Sequence, residues 1–131
     1  MKEGRGAALS LEGVSFSYGA TPVIHDLSLQ VAPGEMVALV GASGCGKTTV
    51  LKLIAGLLAA GSGTIAMDGQ SASATPVEKR RAGMVFQKPL LFPYLSVAEN
   101  VGFSLKMRGA PGAEILSRVE EALAMVRLEG Y

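Results

Sequence analysis

The sequence is poor in several residue types that define protein classes, with one cysteine, one histidine and no tryptophan among 131 residues. A single cysteine excludes an internal disulfide and suits a reducing compartment. The formal net charge of +1 gives no electrostatic reason to expect nucleic-acid binding. No apolar run reaches the ~20 residues that a membrane-spanning helix needs, and the first residues lack the apolar core of a signal peptide. We therefore expect a soluble, cytoplasmic protein that meets a membrane only through a partner.

Apolar residues, by contrast, are plentiful. Hydrophobic residues make up 49% of the chain and charged residues 18%, so a packed core is expected and disorder is not. The length of 131 residues suits one domain. The 17 glycines follow no fixed period, which places them at turns rather than in a repeat.

The most informative stretch runs from Gly41 to Thr48 and fits the pattern G-x-x-x-x-G-K-[ST] at every fixed position. Its glycines let the backbone curl so that several N–H groups point at phosphate oxygens. Lys47 reaches the outer phosphates as a point charge, and the Thr48 hydroxyl is an oxygen ligand for Mg²⁺. The helix that follows adds a partial positive charge at its N-terminus. The pattern predicts a site for a nucleoside triphosphate.

The segments on either side of this loop support the match. Residues 36–40 are a short apolar run that predicts a buried parallel strand. Residues 49–58 are apolar on nearly all sides and predict a buried helix that ends near Gly56 or Gly61. The alternative, a glycine-rich turn that matches by accident, does not account for a strand before the loop and a helix after it.

Three other segments have the pattern of an antiparallel layer. Near-alternating apolar residues predict a strand over 9–18, with a bulge at Gly13, and a second strand over 23–31 that pairs with it as a hairpin. Residues 63–69 predict a short strand that runs into an Asp-Gly turn. Residues 84–86 are a further short strand candidate.

The last third of the chain predicts a loop and two helices. Residues 87–96 contain two prolines and no clean period, which is typical of a loop. Ser96 is expected to cap a helix over 97–107, with Glu99 completing a capping box. Residues 113–128 carry apolar residues on one face and predict an amphipathic helix. The fold class is therefore α/β: a P-loop NTPase core with an antiparallel β layer and a helical C-terminal part.

Features outside the loop add a family resemblance. Tyr18 precedes the loop at the end of the first strand, and Gln87 follows a short apolar strand after it. The run Phe-Pro-Tyr-Leu-Ser-Val-Ala-Glu-Asn-Val at 92–101 and the later Leu-Lys-Met-Arg-Gly at 105–109 complete the pattern. Across almost the whole chain, in order and spacing, this resembles the ATP-binding subunit of an ABC transporter. The match is to bacterial importers of polyamines, ferric iron, sugars and related solutes.

The resemblance assigns roles to particular residues, with ATP and Mg²⁺ as the cofactors. Tyr18 resembles the aromatic that stacks on adenine, and a ring face suits a flat base. Gln87 resembles the switch glutamine that senses Mg²⁺ and the attacking water. Lys47 and Gln87 are thus the implied catalytic residues, and Thr48 and Gln87 the implied metal ligands. The implied nucleotide-binding residues are Tyr18, Gly41, Ser43, Gly44, Cys45, Gly46, Lys47, Thr48 and Thr49.

Partners and domain organisation follow from the same resemblance. Transmembrane permease subunits would dock near the Gln87 loop, and a second ATP-binding subunit would pair head to tail. A solute-binding protein would act indirectly, no nucleic acid is involved, and the location is the inner face of the cell membrane. The chain then corresponds to a partial ATP-binding domain, with the β layer and phosphate-loop core in 1–86. The switch glutamine loop and the beginning of a helical subdomain occupy 87–131.

The sequence lacks the motifs of the family's second half. These 131 residues contain no Leu-Ser-Gly-Gly-Gln stretch and no apolar run ending in Asp-Glu. The single histidine, His25, precedes the loop, so it is not the family's switch histidine. The alternative function is therefore a truncated nucleotide-binding fragment without turnover. A third interpretation is another P-loop protein, but a GTPase would need a motif such as Asn-Lys-x-Asp, and a kinase leaves the Gln87 pattern unexplained.

Each residue singled out also has a plainer interpretation. Tyr18 is alternatively an edge-strand aromatic beside a turn, and Gln87 an ordinary polar loop residue. Cys45 is a small residue tolerated between glycines, or a reactive thiol near a helix N-terminus. Residues 79–81 are a short basic run, for which a solvated surface is the default. Residues 76–81 favour one helical turn with Thr75 as its N-cap.

Overall fold

The structure is a computed structural model that describes residues 6–80 and 82–130. These residues form two compact units, and the division in the chain falls between Val85 and Phe86. Each unit is described by itself. No helix among the described residues is long and apolar enough to cross a bilayer.

The first unit is built on a four-stranded antiparallel sheet. Its strands are β1 (Leu9–Tyr18), β2 (Thr21–Val31), β3 (Ser62–Met67) and β4 (Gln70–Ser71), in the order β2-β1-β3-β4. The predicted hairpin of the first two strands is confirmed. So is the bulge, because the register shifts between Leu11 and Val14, where Gly13 has φ +59°.

The hydrophobic core of this unit lies between the sheet and the helix α1 (Lys47–Ala55). Apolar residues of the strands supply one wall, and Val50 and Leu53 of α1 supply the other. Leu53 is fully buried, as are Leu11 and Val14 opposite it in the sheet layer. Burying a side chain of this size contributes about 1.5–3 kcal/mol, so the core fixes α1 on the sheet.

Helix α1 ends at Gly56, one of the two predicted positions, in a left-handed conformation with φ +83°. The Arg80 guanidinium lies against this end and donates to the carbonyl oxygens of Leu53 and Ile54 at 3.3 and 3.4 Å. A cation at a helix C-terminus is favoured by the helix dipole. The expectation of a solvated basic run at 79–81 is therefore wrong for Arg80, and Arg81 lies outside the described residues.

The predicted strands at 36–40 and 84–86 are wrong, because neither segment forms a strand. Met36 and Val40 are 96% and 92% exposed, and Val85 is 97% exposed. A strand exists only where a neighbour accepts and donates its backbone hydrogen bonds. The hairpins of this unit find such neighbours a few residues away, but no described segment pairs with 36–40 or 84–86.

Two short 3-10 turns, Ala72–Ala74 and Val77–Lys79, connect the sheet to the end of the unit. The second replaces the helical turn predicted over 76–81. The predicted Thr75 cap is wrong, because that hydroxyl donates back to the Ser71 carbonyl at 3.3 Å and the turn has no side-chain cap.

The second unit is a loop followed by two helices, α2 (Val97–Met107) and α3 (Gly112–Met125). The capping box at α2 is confirmed: Ser96 Oγ accepts from Glu99 N–H, and Glu99 Oε2 accepts from Ser96 N–H. Two hydrogen bonds with Ser96 lower the pKa of Glu99 below its ordinary value. The bond from the Ser96 backbone has the larger effect, and the bond with the Ser96 side chain has the smaller one. The predicted helix over 113–128 is confirmed in type but ends at Met125.

The two helices approach closely at Gly102, which is buried. A Cβ at this position would lie 2.9 Å from Ile115 Cγ2 and 3.2 Å from Val119 Cγ2. Only glycine leaves this space, so Gly102 sets the contact between α2 and α3.

Candidate phosphate-binding site

The segment from Gly41 to Gly46 curls before α1 begins. Gly44 and Gly46 have φ values of +82° and +98°, which side chains with a Cβ rarely adopt. A Cβ on Gly41 would lie 2.8 Å from Cys45 Sγ, and one on Gly46 would lie 2.7 Å from Ile24 Cδ1. Gly44 is therefore favoured by its conformation, Gly41 by the space around it, and Gly46 by both.

Lys47 turns its side chain back into this curl. Its Nζ donates to the carbonyl oxygens of Gly41 and Ala42 at 2.8 and 2.7 Å, and to Cys45 Sγ at 3.4 Å. All three ammonium protons thus have acceptors within six residues of the chain. An anion that entered the loop would find the cation already at its centre, held by neutral carbonyls and a thiol.

The first turn of α1 leaves backbone donors free. Val50 N–H bonds to the Gly46 carbonyl at 2.9 Å. Within the part of the chain that the structure describes, no protein acceptor meets the N–H groups of Lys47, Thr48 or Thr49. The N-cap is Gly46, with no side-chain cap and no acidic residue in the first turn. These free donors and the helix dipole favour an anion.

The Thr48 side chain is exposed at this helix end, whereas Thr49 is buried. An exposed hydroxyl beside the anion site fits Mg²⁺, which takes few protein ligands and keeps phosphate oxygens and water. Residues 6–80 and 82–130 hold no group of three or more histidine, cysteine or acidic side chains that would bind a metal by themselves. The donor set thus suits a metal that arrives with a phosphate chain.

Cys45 is a free, exposed thiol in the same loop. Its Sγ is one of the three acceptors of the Lys47 ammonium, and it fills the space beside Gly41. The residue therefore does more than occupy a tolerated position, since it helps to hold Lys47 in place.

Tyr18 ends β1, and its side chain is 47% exposed. It pairs across the hairpin with Thr21, while Phe16 pairs with Ile24. Ile24 is also the residue that approaches Gly46. Tyr18 and the residue that approaches Gly46 thus belong to the same hairpin of the first unit.

Gln87 lies at the start of the second unit, is exposed, and opens the predicted loop. The Asn100 side chain of α2 shapes the end of that loop. The Asn100 amide accepts from Phe92 N–H at 2.8 Å and donates to the carbonyl oxygens of Phe92, Leu95 and Ser96 at 2.9–3.2 Å. Sequence patterns did not single out Asn100, although it is the chain's one asparagine.

Comparison with known proteins gives a consistent result. A protein-family model described as ABC transporter matches residues 24–131. The chain is 47% identical over 123 residues to the Fe(3+) ions import ATP-binding protein FbpC of Escherichia coli strain K12, covering 94% of this chain and 35% of that protein. The chain therefore spans about a third of the length of the curated relatives it matches.

Two further relatives have different solutes in their names. The spermidine/putrescine import ATP-binding protein PotA of Methylococcus capsulatus is 48% identical over 126 residues, 96% of this chain and 33% of that protein. The sulfate/thiosulfate import ATP-binding protein CysA of Gloeobacter violaceus is 44% identical over 124 residues, 95% of this chain and 36% of that protein. All three names share the import and ATP-binding parts and differ in the solute.

Proposed function

The chain belongs to the ABC transporter family, and from that membership we propose that it binds Mg·ATP as part of the ATP-binding subunit of an importer. The observation that carries the proposal is the Lys47 ammonium at the centre of a glycine-shaped loop, beside the free N–H groups of α1. Phosphate oxygens would replace the carbonyls of Gly41 and Ala42 around Nζ and accept from the backbone N–H groups.

We take the proposed roles of individual residues from the family resemblance. Gly41, Ser43, Gly44, Cys45 and Gly46 shape the loop, and Thr49 anchors the first turn of α1 in the core. Lys47 stabilises negative charge on the transferring phosphoryl group. The Thr48 hydroxyl would hold Mg²⁺, which would offset negative charge on the phosphates. Tyr18 stacks on the adenine, and Gln87 orients the attacking water and the metal.

We further propose that residues 1–86 form the β layer and phosphate-loop core, and that 87–131 form the glutamine loop and the start of a helical subdomain. The relatives are named as import proteins, which supports a membrane permease as the partner. The permease would dock near Gln87, and a second subunit would complete the site head to tail. The subunit would then work on the cytoplasmic face of the membrane, with the solute chosen by its partners.

The test of nucleotide binding is a Mg·ATP titration of Lys47→Ala. We expect affinity to fall about 10- to 100-fold, because charge-assisted hydrogen bonds contribute about 1.5–3 kcal/mol. The matched control is Lys52→Ala, which removes the same charge from the same helix outside the loop. Equal losses in the two variants, or none in Lys47→Ala, would remove the phosphate-loop assignment.

A second expectation concerns turnover by this 131-residue polypeptide alone. No apolar run in these 131 residues ends in Asp-Glu to supply a base, and the Gln87 amide orients water but hardly deprotonates it. General-base catalysis contributes about 10²–10⁴-fold, so phosphate release should stay far below 1 s⁻¹, the low end of ordinary enzyme rates. Steady release near about 1 s⁻¹ that disappears in Lys47→Ala would contradict this expectation.

A further inference from the structure

Phe16 and Tyr18 form an aromatic pair on one face of β1. Their ring centroids are 4.8 Å apart and the ring planes are nearly perpendicular, at 88°. This is the edge-to-face arrangement that the charge distribution of aromatic rings favours. Tyr18 is the last residue of β1 and half exposed, so the Phe16 ring is a fixed neighbour that restricts where the Tyr18 ring can lie.

Phe16 itself is held in place by the hydrophobic core of the first unit. It is half-buried and packs against the core cluster that contains Ile24. Ile24 is its partner across the hairpin and is also the side chain closest to the Cβ position of Gly46. A continuous series of contacts therefore runs from the phosphate loop through Ile24 and Phe16 to Tyr18.

The spacing along the hairpin suits a nucleotide. Tyr18 lies opposite Thr21, which is three residues before Ile24 in β2. At about 3.3 Å per residue, the separation is about 10 Å along β2 and about 7 Å along β1, where Phe16 is the register partner of Ile24. A base stacked on Tyr18 and phosphates in the loop would be joined across this distance by the sugar.

We propose that Phe16 is a positioning residue for the base, holding the Tyr18 ring at the angle and distance that let it stack on adenine while the phosphates occupy the loop. The inference rests on the proposed binding of Mg·ATP and adds a residue that touches no part of the nucleotide. Phe16 acts only through Tyr18, so its contribution should depend on both the base and the Tyr18 ring.

The test compares Mg·ATP with Mg·tripolyphosphate, which has the phosphates but no base. Phe16→Leu should weaken Mg·ATP about two- to ten-fold, the range of one aromatic pair, and leave Mg·tripolyphosphate unchanged. Tyr18→Ala should weaken Mg·ATP about 5- to 150-fold, as loss of base stacking does elsewhere. In the Tyr18→Ala background, Phe16→Leu should have no further effect on Mg·ATP.

Two variants control for packing. Phe16→Tyr keeps the aromatic edge and should keep the affinity for Mg·ATP. Leu29→Val alters another half-buried residue of the hairpin that packs on the same core. It should lower thermal stability without changing the ratio of the two affinities.

The outcomes separate this inference from the proposed function. The inference is overturned if Phe16→Leu leaves Mg·ATP affinity intact, weakens both ligands equally, or adds fully to Tyr18→Ala. It is also overturned, with the phosphate-loop proposal intact, if Tyr18→Ala has no effect while Lys47→Ala does. Absence of binding of both ligands to the parent protein would instead overturn the proposed function.

Discussion

The N-termini of α1 and α2 differ in how their backbone donors are satisfied. Helix α2 begins with Ser96 and Glu99, which form a complete capping box with an acidic side chain in the first turn. Helix α1 begins with Gly46, has no side-chain cap, and carries Lys47 where the helix dipole would favour an acid. The N-terminus of α2 is therefore suited to stability. The N-terminus of α1 instead combines positive charge with backbone N–H groups that have no acceptor among the described residues.

This difference shows where the chain departs from the rules of local stability. Capping residues and first-turn acids stabilise helices by about 0.5–2 and 0.3–1 kcal/mol, respectively. Helix α1 lacks both, although its core residues Val50 and Leu53 are well buried. Such violations concentrate at functional sites, and an anion would satisfy the donors that the sequence leaves free.

The largest expected effect comes from the glycine that takes the place of a cap in α1. Gly46→Ala should lower the free energy of unfolding by about 1–3 kcal/mol and weaken Mg·ATP, because φ +98° is strained for alanine and the Cβ would contact Ile24. Chemical denaturation and a titration measure the two effects.

Gly69→Ala is the matched control, since Gly69 has φ +75° and no described residue other than its chain neighbours lies within 4 Å of its Cβ position. Gly69→Ala should lower the free energy of unfolding and leave the affinity for Mg·ATP unchanged. If both variants bind Mg·ATP with the affinity of the parent, the left-handed conformation of Gly46 is not required for nucleotide binding at the start of α1.

The next effect tests the capped helix. Ser96→Ala should lower the free energy of unfolding by about 1 kcal/mol and leave Mg·ATP affinity unchanged, because it removes the acceptor of Glu99 N–H from α2. Ser104→Ala, an exposed serine inside α2, should be neutral or slightly stabilising. A clear loss of Mg·ATP affinity in Ser96→Ala would contradict the claim that the cap of α2 serves stability and not nucleotide binding.

The smallest expected effect comes from a variant that gives α1 the acidic side chain missing from its first turn. Thr48→Glu should raise the free energy of unfolding without nucleotide by about 0.3–1 kcal/mol relative to Thr48→Gln, since a carboxylate suits a helix N-terminus. The same carboxylate should weaken Mg·ATP far more than the glutamine does. Equal affinities of the two variants would show that the phosphates do not approach this turn.

Sequence patterns were sufficient where the determinants are close together in the chain. The glycine-shaped curl before α1, the turn between β1 and β2, the stop at Gly56 and the Ser96–Glu99 box all depend on residues within a few positions of one another. Each also has a stereochemical reason that one sequence reveals, such as a positive φ or a side-chain cap.

Predictions from the sequence fail where a strand or side chain depends on a residue that is distant in the chain. Residues 36–40 have the composition of a buried strand, but composition does not supply the neighbouring strand. The basic run predicts a surface position for Arg80, because its acceptors at Leu53 and Ile54 are more than 25 residues away in the chain. Asn100 lies four to eight positions from its acceptors, but no single pattern describes a side chain that binds a loop at four points.

The measurement that tests the account most directly is amide hydrogen exchange of the whole chain with and without Mg·ATP. Free donors at the start of α1 predict that the nucleotide slows exchange in residues 43–49, and the capped start of α2 predicts little change at 96–100. The Lys47→Ala variant should lose the protection at 43–49. Protection confined to 86–131, or an exchange pattern that Mg·ATP leaves unchanged, would contradict the assignment of the nucleotide to the glycine loop.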